Sequence, residues 1–413
     1  MYRIKSLMSP LRVAIIFDQQ IHAGGGYQQS LNASLLVKQL SEELVEPIYF
    51  TIFKENITTL SKFDIEAQFL NITLFEKFWA RIRISFRNHQ LLKFIKKIQR
   101  YGQFEKTLVQ NKIDLVYFLA PSTLAQSLEE INYIVTVWDL CHRDDPEFPE
   151  VRSNRQFEIR DAHYNAILPR ATAILVDSEI GKENVGKRYA IDSERLYVMP
   201  FEASVSSRFL DETLLDHNIN IANKFNLDTP YVFYPAQFWA HKNHVYVLEG
   251  LKILESLYNI RIGAIFSGGD KGNRAYIEKY AQNIGLIDRV RFVGFLSNEE
   301  VIALYQKSLA LVMPSYFGPT NLPPLEAFEL GVPVLYSDKT GLREQVADAA
   351  LLMDLQNPET MAHHLKKIIE DEAFTSELIK AGYKRLSHFK NIDRLGILKA
   401  IFENYRWRRL CWE

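Results

Sequence analysis

Short apolar runs alternate with amphipathic stretches along this chain, and the two spacings predict different elements. Arg12 to Phe17 is a continuous apolar-rich run of strand length, which predicts a buried strand. Asp18 to Tyr27 follows with Gly24-Gly25-Gly26, and Gln28 to Leu44 then places Leu31, Leu35, Leu36, Leu40 and Leu44 at helical spacing. Strand-like runs recur at Asp114 to Leu119, Tyr133 to Val137 and Ala173 to Val176, with helical runs between them. A second series starts near Tyr231. Its strands are Tyr231 to Tyr234, Arg261 to Phe266, Arg291 to Val293, Ala310 to Met313, Val332 to Tyr336 and Ala350 to Met353. Alternation of this kind predicts α/β architecture with parallel, doubly wound sheets. Two series predict two Rossmann-like domains, 1–205 and 206–390, with a polar junction at Asp211 to Asp228. The end, 391–413, is amphipathic and aromatic, with Phe402, Tyr405, Trp407 and Trp412. A ligand is expected at the C-terminal ends of the strands.

Composition narrows the function classes. The 413 residues are 47% hydrophobic, enough for a core in each domain, and the formal net charge of −1 offers no electrostatic footprint for nucleic acid. The two cysteines, Cys141 and Cys411, have neither metal nor redox spacing, which fits free thiols in a reducing, cytoplasmic setting. No run of about 18 apolar residues occurs, so no spanning helix is expected. One basic amphipathic segment changes the picture. Phe75 to Arg100 carries Lys77, Arg81, Arg83, Arg87, Lys93, Lys96, Lys97 and Arg100 against Glu76, interleaved with Phe78, Trp79, Phe86 and Phe94. It reads either as a packed helix with a solvated basic face or as a peripheral contact with an anionic membrane, at the inner face of the cell membrane.

The chemistry concentrates after the apolar run Ala310 to Met313. There Pro314-Ser315-Tyr316-Phe317-Gly318-Pro319-Thr320-Asn321 leads into a helix, Pro323 to Leu330, that stops at Gly331 and Pro333. A helix N-terminus after a strand favours an anion, and Glu326 one turn on can accept hydrogen bonds from a ribose edge. Phosphate beside such a carboxylate suits a nucleotide sugar. In the same half, Tyr234-Pro235-Ala236-Gln237-Phe238-Trp239-Ala240-His241-Lys242-Asn243-His244 joins a strand to a helix and offers the Lys242 ammonium.

These segments resemble the donor-site signature of family 4 glycosyltransferases, which have the GT-B fold. The resemblance implies a retaining, metal-independent enzyme that moves a hexosyl or deoxyhexosyl group, mannose- or rhamnose-like, from a nucleotide diphosphate sugar. The acceptor would be a hydroxyl of a growing cell-envelope glycan, free or lipid-linked. No cofactor is implied beyond the donor, and no metal: the chain contains no Asp-x-Asp triplet and no zinc spacing. The family's last helix commonly returns to the first domain, which would place 391–413 there.

Residue by residue, Glu326 matches the second glutamate of the signature, while Gly318 stands where the first belongs and Pro319-Thr320-Asn321 replaces Gly-Phe-Gly. Either Thr320, Asn321 and the adjoining Leu322 make the sugar contacts, or donor handling is altered. Lys242 matches the family lysine that neutralises the leaving diphosphate, with Gln237 at the arginine position. Ser267-Gly268 sits where the family contacts the nucleotide, with Lys271 or Arg274 able to assist. Val293 and Phe295 lie in the segment that holds the base. Gly24, Gly25 and Gly26 follow the first strand, where the family's glycine loop faces donor phosphate and acceptor; the other reading is a flexible turn. In Trp138-Asp139-Leu140-Cys141-His142, Trp138 replaces the family histidine and is a sugar wall or simply core, and Asp139 or His142 would take the acceptor proton. Two other classes share this architecture: a nucleotide-sugar epimerase, and a non-catalytic nucleotide- or glycan-binding scaffold.

Overall fold

The computed structural model describes residues 9–20, 25–72, 102–202, 224–225, 229–318 and 320–412. Gly24, Pro319, the basic segment Phe75 to Arg100 and most of the polar junction lie outside the described residues.

Two compact units form. Unit 1 holds a seven-stranded, wholly parallel sheet. Its strands are β1 (Leu11–Phe17), β2 (Val45–Thr51), β3 (Ala67–Phe69), β4 (Leu115–Phe118), β5 (Asn132–Val137), β6 (Ala173–Val176) and β7 (Leu196–Val198), in the order β3-β2-β1-β4-β5-β6-β7. Both faces are covered, so the strands read as continuous apolar runs rather than alternating ones. Val116, Phe118, Val135 and Ile174 are fully buried. Three strands carried no such signal. In β2, Glu46 and Pro47 interrupt the apolar pattern, although Pro47 pairs in register with Val13. β3 and β7 are three residues each. The helix expected over Gln28 to Leu44 runs instead over Gly25–Lys38, because Leu44 leads into β2.

Unit 2 holds a six-stranded parallel sheet of β8 (Tyr231–Pro235), β9 (Gly263–Ser267), β10 (Val290–Gly294), β11 (Ala310–Met313), β12 (Val334–Ser337) and β13 (Leu351–Met353). The order β10-β9-β8-β11-β12-β13 runs outward in both directions from the β8–β11 pair. That pair is the switch point, where the two following loops part and leave a crevice above the strand ends.

The units are not the expected contiguous spans. Unit 1 is 1–140, 158–200 and 393–413, and unit 2 is 141–157 and 201–392. The expected boundary at 205 compares with one at 200/201. The larger difference is the segment 141–157, which follows β5 in sequence but packs in unit 2. Its Cys141 and Val151 share an apolar cluster with Phe317, flanked by Phe148, Phe157 and Tyr316. The C-terminal helix Arg394–Arg409 counts with unit 1. It buries Leu398, Ile401 and Phe402, and the Tyr405 hydroxyl donates to the Asp114 carbonyl at 2.9 Å.

Candidate functional site

The loops after β8 and β11 meet at the switch point of unit 2. Lys242 ends a short turn, Ala240–Lys242, that brings the chain from β8 to the helix His244–Tyr258. Its carbonyl accepts from the Tyr234 hydroxyl at 3.0 Å, which pins the turn to the strand. The ammonium crosses to the β11 loop, donating to Ser315 Oγ at 3.3 Å and to Asn321 Oδ1 at 3.5 Å. Ser315 is fully buried, and its hydroxyl also donates to the Phe317 carbonyl at 3.1 Å. Lys242 is among the residues expected here from the sequence, and Ser315 is not. The Pro-Ser pair after a buried strand was the available signal.

Gly318 takes φ +93°, and a Cβ there would stand 2.9 Å from Asn321 Oδ1. A side chain at 318 would therefore be strained by conformation and would have to displace the Asn321 amide. Asn321 braces this loop. Its Nδ2 donates to the Gly318 carbonyl at 2.7 Å and to the Tyr336 hydroxyl at 2.6 Å. Its backbone N–H donates to Gln345 Oε1 at 2.9 Å. Thr320 is buried beside it, and Leu322 opens the helix Leu322–Glu329 at 8% exposure. Pro323 and Pro324 have no N–H, so this helix offers only the Leu322 and Leu325 donors among its first four residues. The positive potential at the switch point falls mainly to Lys242.

Glu326 lies one turn into that helix, half-buried, and accepts from the Tyr305 hydroxyl at 3.1 Å. Burial, with Glu329 nearby adding to it against the Tyr305 hydrogen bond, pushes its carboxyl up to about 7. Next to Lys242, His244 is fully buried with its ring centroid 4.8 Å from those of both Tyr234 and Phe238. Burial, then the Lys242 charge, pushes it down to about 3, so it is a neutral packing group at physiological pH.

The other donor-side candidates form a frame around this centre. Gly268 has φ +137°, and its N–H is spent on the Gly294 carbonyl at 2.8 Å. A Cβ there would stand 2.6 Å from the Ala236 carbonyl oxygen, so the β9 loop is zipped against the β8 loop. The Phe238 N–H completes the zip on the Gly269 carbonyl at 3.0 Å. Ser267 is buried at the end of β9. Gln237 Oε1 accepts from the Trp239 indole at 3.1 Å. Arg274 pairs with Glu278 at 2.7 Å and covers the Phe238 and Phe292 rings, which commits it to packing. Lys271 stands over the Trp239 ring at 5.6 Å. Val293 is half-buried in β10, and Phe295 is 71% exposed with its ring against Gly269.

In unit 1, Gly25 and Gly26 are not a loop but the first turn of the helix Gly25–Lys38. A Cβ on Gly26 would stand 2.7 Å from the Trp138 ring, so Trp138 is a wall pressed onto the start of that helix. Asp139 is paired with Arg160 at 2.6 Å, each side chain 29% exposed. His142, expected as an alternative proton acceptor, is fully buried in unit 2 with its ring edge-on to Phe157 at 5.7 Å. That burial closes it to an incoming hydroxyl. Among the described residues, no group of three or more His, Cys, Asp or Glu side chains is placed to hold a metal ion.

The match to a family model falls on the donor-side half of the chain. Residues 217–385 match the family model described as glycosyl transferases group 1. Every donor-side candidate from Gln237 to Glu326 lies inside that match; Trp138, Asp139 and His142 lie outside it. The O-antigen chain mannosyltransferase B of Escherichia coli is 22% identical over 242 residues, 58% of this chain and 63% of that protein. The O-antigen chain mannosyltransferase RfbU of Salmonella typhimurium is 25% identical over 199 residues, 48% of this chain and 51% of that one. The chain thus spans between half and two thirds of the length of these two curated relatives. Among solved structures, a glycosyltransferase from Rickettsia africae superposes with TM-score 0.66 at 14% identity, covering 98% of this chain and 100% of that one. The Anabaena protein HepE, crystallised with UDP and glucose, gives 0.65 at 16% identity, covering 95% and 99%. The two parallel-sheet α/β units have the GT-B fold, and residues 217–385 carry the glycosyl transferases group 1 pattern.

Proposed function

We propose that this chain is a retaining, family 4-like glycosyltransferase that moves a hexosyl or deoxyhexosyl group, mannose- or rhamnose-like, from a nucleoside diphosphate sugar to a hydroxyl of a cell-envelope glycan. The observation that carries the reading is the Lys242 ammonium held by Ser315 and Asn321 at the β8–β11 switch point, with Glu326 one turn into the next helix. The O-antigen mannosyltransferase relatives favour a mannose-like sugar and an envelope acceptor. The UDP and glucose in the HepE crystals favour a nucleotide sugar donor.

Negative charge grows on the diphosphate as the bond to the sugar breaks. Lys242 is the group to neutralise it, and removing such a contact typically costs about 3 kcal/mol of transition-state stabilisation. The ionised Glu326 carboxylate accepts from the ribose hydroxyls. The acceptor hydroxyl attacks on the leaving-group face, and its proton passes to the departing phosphate oxygen, so no protein nucleophile is assigned. Neither a metal ion nor a cofactor is required. Peripheral contact with an anionic membrane fits a lipid-linked acceptor. Its support is the composition of Phe75 to Arg100.

The test is thermal stability with UDP, GDP, ADP, CMP and dTDP in EDTA, followed by transfer assays with the matching sugars. A ligand at a hundred times its dissociation constant stabilises by about 2.7 kcal/mol. A shift with one diphosphate names the base. No shift with any of them removes the nucleotide-sugar reading and leaves a scaffold.

A further inference from the structure

The turn carrying Lys242 is anchored from a residue 91 positions earlier in the chain. Glu150 sits in the short helix Pro149–Arg152 of unit 2. Its Oε1 accepts from the His241 backbone N–H at 2.9 Å and also contacts His241 Nδ1. Both side chains are nearly closed to solvent, 11% exposed for Glu150 and 12% for His241. The His241 ring lies parallel on Phe317, centroids 4.3 Å apart and planes 17° apart. Its carbonyl accepts from the Tyr316 N–H at 2.9 Å. Phe148, two residues before Glu150, packs edge-on to Phe317 at 5.0 Å. Asp145 reaches Lys339 Nζ, which also donates to the Tyr316 carbonyl at 3.0 Å. His241 precedes Lys242, and Tyr316 and Phe317 follow Ser315. The segment 145–150 therefore touches both loops whose side chains meet at the ammonium.

We infer that Glu150 is a positioning residue: through His241 it sets where the Lys242 ammonium stands against the diphosphate of the donor. This rests on the nucleotide-sugar reading above. A lysine head rides on a flexible four-carbon stem, so its placement depends on how firmly its own backbone is held. Misplacing a reacting contact by about 1 Å can cost about a hundredfold in rate. A carboxylate suits the post because it can accept from the backbone N–H and the ring together, with charge-assisted strength.

The test compares affinities for each nucleoside and its diphosphate, uridine and UDP, guanosine and GDP, adenosine and ADP, thymidine and dTDP, on the full chain by competition. The nucleoside-to-diphosphate ratio of dissociation constants reads the grip on phosphate alone. Lys242→Ala is the reference, and in the wild type the ratio is high for the cognate base. Glu150→Ala is expected to lower it by about tenfold, toward the Lys242→Ala value, with nucleoside affinity within about twofold of wild type. Glu150→Gln keeps an acceptor for the His241 N–H and is expected to fall between the two. It carries the same test if the alanine variant does not fold. A wild-type ratio in the variants overturns the inference alone, and so does equal weakening of nucleoside and diphosphate, the mark of a merely structural role. A wild type that does not distinguish diphosphate from nucleoside overturns the nucleotide-sugar reading and this inference with it.

Discussion

Glu326 costs the folded chain stability, and the sign of that cost follows from its environment. Its carboxyl titrates near 7 in the folded chain against 4.5 when unperturbed. Between those values the unfolded chain has already released the proton and the folded chain has not, so folding stability falls as pH rises through that window and is level above it. The ceiling is about 3–4 kcal/mol, from the rise from 4.5 to about 7 at about 1.4 kcal/mol per unit. Glu326→Gln is expected to raise the melting temperature at pH 8 and to leave it unchanged at pH 4. A lower melting temperature at pH 8 would contradict the burial argument. Binding runs the other way. The ionised carboxylate is the form that accepts from a ribose edge, so diphosphate affinity is expected to rise about tenfold from pH 6 to pH 8. The same titration on Glu326→Gln subtracts the ligand's own phosphate ionisation. Identical slopes in the two proteins would remove Glu326 from the site. Lys242→Ala is expected to slow transfer about a hundredfold with little change in nucleoside affinity, and unchanged rates would dismiss it.

The loops tolerate less change than their exposure suggests. Gly268 has both a positive φ and the Ala236 carbonyl where a side chain would go. Gly268→Ala is expected to destabilise unit 2 by about 1–3 kcal/mol and to weaken nucleotide binding, because the β8 and β9 loops can no longer close on each other. Chemical denaturation of the variant measures it; a loss below about 0.5 kcal/mol would mean that the turn relaxes freely. β5, β6, β8 and β11 were legible in the sequence because strands buried on both faces are short unbroken apolar runs. β2 was not, since Pro47 and Glu46 sit in a strand recognisable only from its partner β1. The positions of Lys242 and Glu326, each after a strand and near a helix start, follow from local spacing. Glu150, His241 and the bracing role of Asn321 do not: contacts across the fold leave no period in the chain. The burial of His142 was equally hidden, since its ring packs edge-on to Phe157, fifteen residues on.

At the level of the whole chain, the two units keep separate cores. The larger cluster of unit 2 runs from Tyr231 to Phe389, and that of unit 1 from Ala14 to Leu196. The chain passes between them at 140/141, 157/158, 200/201 and 392/393, and the last passage returns the helix Arg394–Arg409 to unit 1. That helix is held by Phe402, fully buried, by Tyr405, which accepts from Asn132 Nδ2 at 3.0 Å, and by the Arg409–Asp114 pair at 2.7 Å. The residues proposed to grip the nucleotide all lie in unit 2. Truncating a buried phenylalanine costs about 3–5 kcal/mol, a large share of a domain's stability. Phe402→Ala should therefore lower a melting transition belonging to unit 1 and leave diphosphate affinity intact. Calorimetry with and without the diphosphate separates the two contributions, since the ligand raises only the transition of the unit that binds it. In the wild type the ligand-sensitive transition is expected to be the one that Phe402→Ala does not move. If Phe402→Ala and the ligand act on one and the same transition, and the variant binds the diphosphate more weakly, the cores are thermodynamically one. The nucleotide grip then depends on unit 1 as well.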